Sequence, residues 1–150
     1  MTLKIITQAF DPYQEIQRYQ HAHPENLGHI GATNIFIGTM RDFNENVAVK
    51  GMTLEHYPGM TEKQLDNIVA EAHAQWQLID TLIIHRVGTI LPNEPIVLVA
   101  IWSSHRGDAF DACRYIMEAL KSKAPFWKKE HLSNNDERWV THNSTGYKNP

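Results

Sequence analysis

The sequence has few of the features that mark a secreted, membrane-spanning or disulfide-rich protein. Its 150 residues include one cysteine, Cys113, so no disulfide framework can form within the chain. No apolar run approaches the ~20 residues needed to cross a bilayer. The first residues also lack the apolar segment of a signal peptide. We therefore expect a protein of the reducing cytoplasm that does not associate with a membrane.

The usual signatures of metal and nucleotide sites are missing as well. Neither HExxH nor CxxC occurs, and the nine histidines lack the spacing of a zinc site. No GxxxxGK[ST] or GxGxxG loop is present. The formal net charge of -3 argues against bulk nucleic-acid binding, which goes with a basic excess. The sequence thus predicts no metal site and no nucleic-acid partner.

The composition, with 42% hydrophobic and 21% charged residues, is typical of a globular domain. We expect one domain over residues 1–150, with a polar, frayed tail over about 141–150. Periodic apolar positions predict about three helices, and the sheet is expected to be mixed or antiparallel, in an α+β fold. Apolar, β-rich runs predict strands over residues 3–7, 31–40, 49–57, 81–87, 96–102 and 138–140.

Two local interpretations are specific enough to be tested by a structure. The strands over 31–40 and 49–57 are interpreted as hairpin partners, joined by a polar, mobile loop over 41–46. Thr61 with Gln64 resembles a capping box at the start of the second helix.

The segment from Ser103 to Glu130 carries the strongest functional signal. Apolar side chains recur on one face of its helix, and we expect Cys113, which is one of them, to pack in the core and not to act as a nucleophile. Pro125 must end that helix, because the residue before a proline is pushed out of the α region. Cations concentrate here and nearby, against the negative net charge: Arg41, His105, Arg106, Lys121, Lys123, Lys128, Lys129 and Arg138.

A local concentration of cations indicates a site for an anion. His105 and Arg106 stand just before the helix, where backbone N–H groups and the helix dipole favour negative charge. Pro125 can turn the chain so that Lys128 returns beside Lys121. A lysine among other cations has a lowered pKa, which suits acid–base catalysis. From the residues alone, a set of solvated surface lysines remains an alternative.

Seven motifs, in a fixed order over about nine-tenths of the chain, add a family resemblance. They are Gly31-Ala32 with Phe36, Gly38 and Arg41; Leu54-Glu55-His56-Tyr57-Pro58-Gly59-Met60; His85-Arg86 with Gly88; Ser104-His105-Arg106 with Ala109-Phe110; Ile116-Met117 with Leu120-Lys121; Ala124-Pro125-Phe126-Trp127-Lys128-Lys129-Glu130; and Arg138-Trp139-Val140. In these motifs the chain resembles the MoaE family, the large catalytic subunits of molybdopterin synthase.

The resemblance implies a fold, a reaction and partners. The fold would be an α/β-hammerhead-type domain with an additional β subdomain. The reaction would transfer sulfur to cyclic pyranopterin monophosphate and form the dithiolene of molybdopterin, in molybdenum cofactor biosynthesis. The sulfur would come from the C-terminal thiocarboxylate of a small ubiquitin-like subunit of the MoaD type, whose Gly-Gly tail enters the site, so no cofactor is needed. A homodimer with one small subunit at each end, a heterotetramer, is implied.

The resemblance also implies roles for particular residues. Lys121 and Lys128 would be catalytic, in acid–base work and in stabilising negative charge, and they would also contact the substrate. The remaining substrate-binding residues would be Thr39, Met40, Arg41, His105, Arg106, Lys129 and Glu130. Arg41 could serve its own subunit or the neighbouring one.

Two other classes of function compete with this reading. A non-catalytic module could bind a ubiquitin-like partner and a phosphate ligand without doing chemistry. A single-stranded nucleic-acid binder could use Phe126 and Trp127 as stacking platforms beside the lysines, although the negative net charge argues against it.

Overall fold

Two β-sheets and three α-helices make up the described part of the chain, residues 1–141 and 146, in a computed structural model. The predicted polar tail lies almost wholly outside these residues. The helices are α1 (Pro12–Ala22), α2 (Met60–Gln75) and α3 (Arg106–Lys123). The strands are β1 (Thr2–Ile6), β2 (Ala32–Thr39), β3 (Phe43–Asn44), β4 (Val47–His56), β5 (Leu78–Arg86), β6 (Gly88–Ile90), β7 (Pro95–Ser103), β8 (Phe126–Leu132) and β9 (Glu137–Trp139).

The larger layer is a mixed sheet in the order β1-β5-β7-β2, with β1 parallel to β5 and the other pairs antiparallel. Its two central strands are buried at nearly every position because both faces are covered. Ile83 and Val97 face the layer formed by α2 and α3, whereas Leu82 and Trp102 face α1. This alternation decides which side chains of β5 and β7 can reach α3.

The smaller sheet has the order β3-β4-β8-β9, and β6 also pairs with β4. It has a core of its own, in which Leu54, Ile90 and Leu132 are buried. Phe126 packs against both this core and the core under α2 and α3, so it joins the two sheets. The predicted α+β class, about three helices and an additional β subdomain are confirmed.

The predicted hairpin between residues 31–40 and 49–57 is wrong. β2 pairs with β7 over Ala32–Thr39, and β4 pairs with β8 in the other sheet. The stretch between them, predicted to be a loop, instead forms the tight β3–β4 hairpin. Glu45 and Asn46 have φ values of 51° and 62° at its turn, as a two-residue type I′ turn requires. β3 therefore pairs with one edge of β4, and β8 pairs with the opposite edge.

The predicted capping box of Thr61 with Gln64 is also wrong, because α2 begins two residues earlier. Gly59 is the N-cap residue, and its N–H donates to the Glu62 carboxylate at 2.5 Å. Thr61 is thereby left to form a tertiary contact with the chain at Pro125.

Candidate functional site

Lys121 extends the apolar stripe of α3 towards the core. Cys113 and Met117, eight and four residues before it, are buried on that stripe, and side chains four apart lie on one helix face. Burial, with the charge of Lys128 and a hydrogen bond to it, lowers the pKa of Lys121 to about 7, and Glu118 partly opposes the shift. Near neutral pH, Lys121 can therefore both donate and accept a proton.

Lys128 reaches Lys121 because the chain turns back after α3. The helix ends at Lys123, and β8 begins at Phe126, directly after Pro125. Side chains alternate along a strand, so Lys128 shares the inner face of β8 with Phe126, which packs in the core. The structure thus brings together the two lysines that the sequence selected, and by the predicted route.

Thr61 holds the turn at Pro125 in place. Its side chain is fully buried, its hydroxyl donates to the Pro125 carbonyl at 3.1 Å, and it accepts from the Tyr57 N–H at 2.9 Å. The start of α2, the end of β4 and the beginning of β8 are therefore tied together at one atom.

Thr61→Val should destabilise the fold by about 2 kcal/mol, because two backbone groups lose their partner while side-chain shape is kept. Urea unfolding would measure the loss, with Thr61→Ser as the control that keeps the hydroxyl. Native stability in the valine variant would show that the bridge contributes nothing.

Two histidines that the sequence analysis did not assign to the site also lie here. His85 is buried in β5, stacked on the Phe126 ring with centroids 4.1 Å apart. His56, at the end of β4, has its Nε2 3.5 Å from the Glu62 carboxylate. Burial, followed by the charges of the two lysines and His56, lowers the pKa of His85 to about 3. The signal available in the sequence was a lone histidine inside the apolar run of residues 81–87.

Lys129 and Glu130 make other contacts. Lys129 is on the opposite face of β8 from Lys128, where its ammonium lies 3.1 Å from Glu137 and 5.2 Å from the centre of the Trp139 ring. The buried Glu130 carboxylate accepts from Arg138 at 2.8 Å and also from Asn44. Lys129 therefore points away from the lysine pair, whereas Glu130 shares the inner face of β8 with Lys128. The part of both residues in substrate binding stays a prediction.

The segment Thr39–Arg41 lies at the end of the larger sheet towards which α3 runs. Thr39 pairs with Pro95 at the start of β7, and α3 packs back along β7 and β2, so this is also the Lys121 end. The Met40 side chain is buried in the smaller core, so only its backbone could face a ligand. Arg41 is exposed, with its guanidinium carbon 5.1 Å from the centre of the Phe43 ring.

His105 and Arg106 lie at the other end of α3. Both are exposed, and His105 caps the helix without a side-chain hydrogen bond. Fifteen residues separate Arg106 from Lys121, which corresponds to roughly 22 Å along the helix axis. Within one chain, the structure does not bring these two residues to the lysine pair. A regular helix holds its two ends apart, so the part of His105 and Arg106 in substrate binding stays a prediction.

The structure also bears on metal and thiol chemistry. No group of three or more His, Cys, Asp or Glu side chains within residues 1–141 and 146 is arranged to hold a metal ion. Cys113 is buried in the main core, and burial raises the pKa of its thiol to about 11, as expected for a packing residue.

The sequence model of the family described as "MoaE protein" matches residues 5–123. The chain belongs to the MoaE family. A molybdopterin synthase catalytic subunit from Ralstonia nicotianae is 52% identical over 139 residues, covering 93% of this chain and 76% of that protein.

Solved structures agree with this MoaE assignment. A molybdopterin biosynthesis MoaE protein from Burkholderia ambifaria superposes with a TM-score of 0.77 at 49% identity, covering 96% of this chain and 91% of the other. A complex of subunits 1 and 2 of molybdopterin-converting factor from Helicobacter pylori, at 22% identity, shows the same fold with a TM-score of 0.77, covering 95% and 92%. No helix in the described part of this MoaE protein is long and apolar enough to cross a membrane.

Proposed function

We propose that Lys121 and Lys128 carry the sulfur transfer that membership of the MoaE family assigns to this protein. The family and the Ralstonia relative show that the chain is an enzyme, the catalytic subunit of molybdopterin synthase, in molybdenum cofactor biosynthesis. The observation that supports the two residue roles is the lysine pair itself, partly buried and with the pKa of Lys121 at about 7.

The proposed sulfur donor is the C-terminal thiocarboxylate of a small ubiquitin-like subunit, and no cofactor is required. The one cysteine of the chain, Cys113, is buried, so the enzyme offers no reactive thiol of its own. In each transfer the sulfur forms a C–S bond to a carbon of cyclic pyranopterin monophosphate while a C–O bond at that carbon breaks, its oxygen leaving with the phosphate or as water. Hydrolysis then breaks the C–S bond to the tail, and the sulfur stays on the substrate as a thiolate. Water supplies the oxygen that leaves the tail as a carboxylate. Two such transfers give the dithiolene.

The two lysines have complementary tasks in these steps. Protonated Lys121 stabilises negative charge on the thiocarboxylate and on the intermediate that precedes C–S cleavage. Neutral Lys121 accepts the proton of the attacking water. Lys128 supplies a second positive charge beside the reacting groups and holds the pKa of Lys121 low.

The proposed substrate site is completed by a second copy of the chain. The pyranopterin phosphate is an anion, and it suits the exposed His105 and Arg106 at the N-terminus of α3. These residues lie roughly 22 Å from Lys121 in their own chain. In a two-fold dimer, the α3 N-terminus of one chain can face the lysine pair of the other. Arg41 lies at the lysine end of its own chain and would add a further cation there.

We place the small subunit at the lysine pair, where its tail would deliver the sulfur. The relative's description as a catalytic subunit implies a further subunit, and the Helicobacter structure is a complex of two subunits. The proposed place of action is the cytoplasm, where Cys113 and the donor thiocarboxylate stay reduced.

Reconstitution tests the proposal. The protein is mixed with thiocarboxylated small subunit and cyclic pyranopterin monophosphate, and molybdopterin is measured by its fluorescent oxidation product. We expect product with the thiocarboxylate and none with the same subunit ending in a carboxylate. Tail binding without product, under conditions where a known synthase works, would instead favour the non-catalytic binding module.

A further inference from the structure

His85 is a buried polar residue for which the proposed chemistry has no role. It lies at the end of β5 with 4% of its surface exposed. Ile83, two residues earlier, and Val97, its neighbour on β7, both belong to the core under α2 and α3. The imidazole therefore points into the layer that carries Lys121.

Its tautomer is fixed by the backbone. Nδ1 lies 2.9 Å from the carbonyl oxygen of Arg86, and a carbonyl can only accept a hydrogen bond, so Nδ1 carries the proton. With the pKa of His85 lowered to about 3 by burial and neighbouring cations, the ring is neutral at physiological pH. Nε2 then has a lone pair and no hydrogen.

Its orientation is fixed by Phe126. The two rings are stacked with an angle of 14° between their planes, so the imidazole cannot tilt without disturbing the first residue of β8. Lys128 follows two residues later on the same face of that strand. Among the charged groups that lower the pKa of His85, Lys121 has the largest effect, followed by Lys128.

We propose that His85 is a positioning residue, whose Nε2 accepts a hydrogen bond from the Lys121 ammonium and fixes that side chain beside Lys128. The consequence for turnover rests on the proposed function, whereas the contact itself does not. A hydrogen-bond acceptor beside Lys121 stabilises its protonated form and so raises its pKa. This opposes the lowering of the pKa by burial and by Lys128, and the proton stays exchangeable near neutral pH. The other titratable groups around the pair are Glu118 on α3, His56 on β4 and Glu62 on α2.

Two substitutions separate this role from simple packing. His85→Phe keeps the stacked ring and removes the acceptor, whereas His85→Gln retains a carbonyl oxygen that can reach the same place. The pKa of Lys121 is measured directly in the whole protein by NMR of ¹³C-labelled lysine side chains. We expect it to fall by about one unit in His85→Phe, the equivalent of one hydrogen bond to a charged group, and to stay near the native value in His85→Gln.

Turnover provides the second measurement. The limb of the pH–rate profile that reports Lys121 should move to lower pH with the NMR value in His85→Phe, with turnover at pH 7 reduced about 10-fold, and should be restored in His85→Gln. An unchanged Lys121 pKa in His85→Phe would overturn the positioning role, whatever the activity. If the native protein makes no molybdopterin, the sulfur-transfer proposal fails while the NMR titration still decides about His85.

The native protein offers a measurement that needs no folded variant. The ¹⁵N shifts of His85 should show a protonated Nδ1 and an unprotonated Nε2 from pH 5 to 8. A predominant Nε2–H tautomer, or an imidazolium in this range, would contradict the proposal, because neither can accept a hydrogen bond at Nε2.

Discussion

Lys121→Met should lower molybdopterin formation at least ~10²-fold, the usual scale for losing a positioned acid–base group, and should stabilise the folded protein. Methionine keeps the length and the apolar stem of the side chain but removes the amine. Catalysis loses the group that exchanges a proton near neutral pH. The folded protein no longer contains an amine whose charged form is destabilised by burial and by the charge of Lys128.

The gain in stability should depend on pH in a defined direction. The pKa of Lys121 is lowered from 10.5 to about 7 in the folded protein, so between these values the unfolded chain binds more protons. The native protein therefore becomes more stable as the pH rises through this window, and below it the full penalty applies. At pH 7 we expect the variant to be about 2 kcal/mol more stable, less than the full shift converts to, because the side chain is only partly buried.

Urea unfolding at several pH values checks this result. The advantage of Lys121→Met should shrink as the pH approaches 10.5. Lys123→Met is the matched control: it is two residues further along α3, exposed, and its ammonium lies 3.9 Å from Glu71 on the surface. The control should keep native turnover and show no such pH-dependent gain. A Lys121→Met protein with near-native turnover, or one destabilised at pH 7, would remove Lys121 from the proposed role.

The sequence was sufficient for those features of the site that depend on local rules. The apolar stripe of α3 predicts which helix face is buried, and Lys121 falls on that stripe by spacing alone. Pro125 predicts the break that returns the chain, and this was enough to expect Lys128 beside Lys121, although the strand β8 that carries Lys128 was not predicted. His85 was accessible by the same logic, because a histidine in a strand buried on both faces needs a partner.

The features that the sequence did not predict depend on contacts between distant segments. β2 and β4 are separated only by the short β3 and suit a hairpin, but the apolar β7 needs a neighbour on each side and takes β2. His105 and Arg106 belong to the same local concentration of basic residues as Lys121, which indicated a site for an anion. Only the length of α3 shows that a single chain cannot bring these residues to Lys121. A pattern of residue types does not indicate which chain of a dimer supplies a residue to a site.

A dimer with shared sites should recover activity when two inactive variants are combined. One chain carries Lys121→Met and the other Arg106→Ala, each with a different affinity tag, and dimers that contain both chains are purified on the two tags in turn. If each site takes its lysines from one chain and Arg106 from the other, one of the two sites contains no substitution. We expect about half of the native molybdopterin yield per dimer, since a two-fold interface presents the same patch twice.

The reverse arrangement gives the opposite expectation and serves as the control. A chain carrying both substitutions, paired with a native chain, places one defect in each shared site, so these dimers should be nearly inactive. Sites built within single chains would reverse the two results: about half activity for the double variant with the native chain, and almost none for the two single variants. That reversal, or a monomer by size-exclusion chromatography, would contradict the shared site. Both mixed dimers are compared with the same native dimer and carry the same two substitutions, so a general loss of folding cannot explain a difference between them.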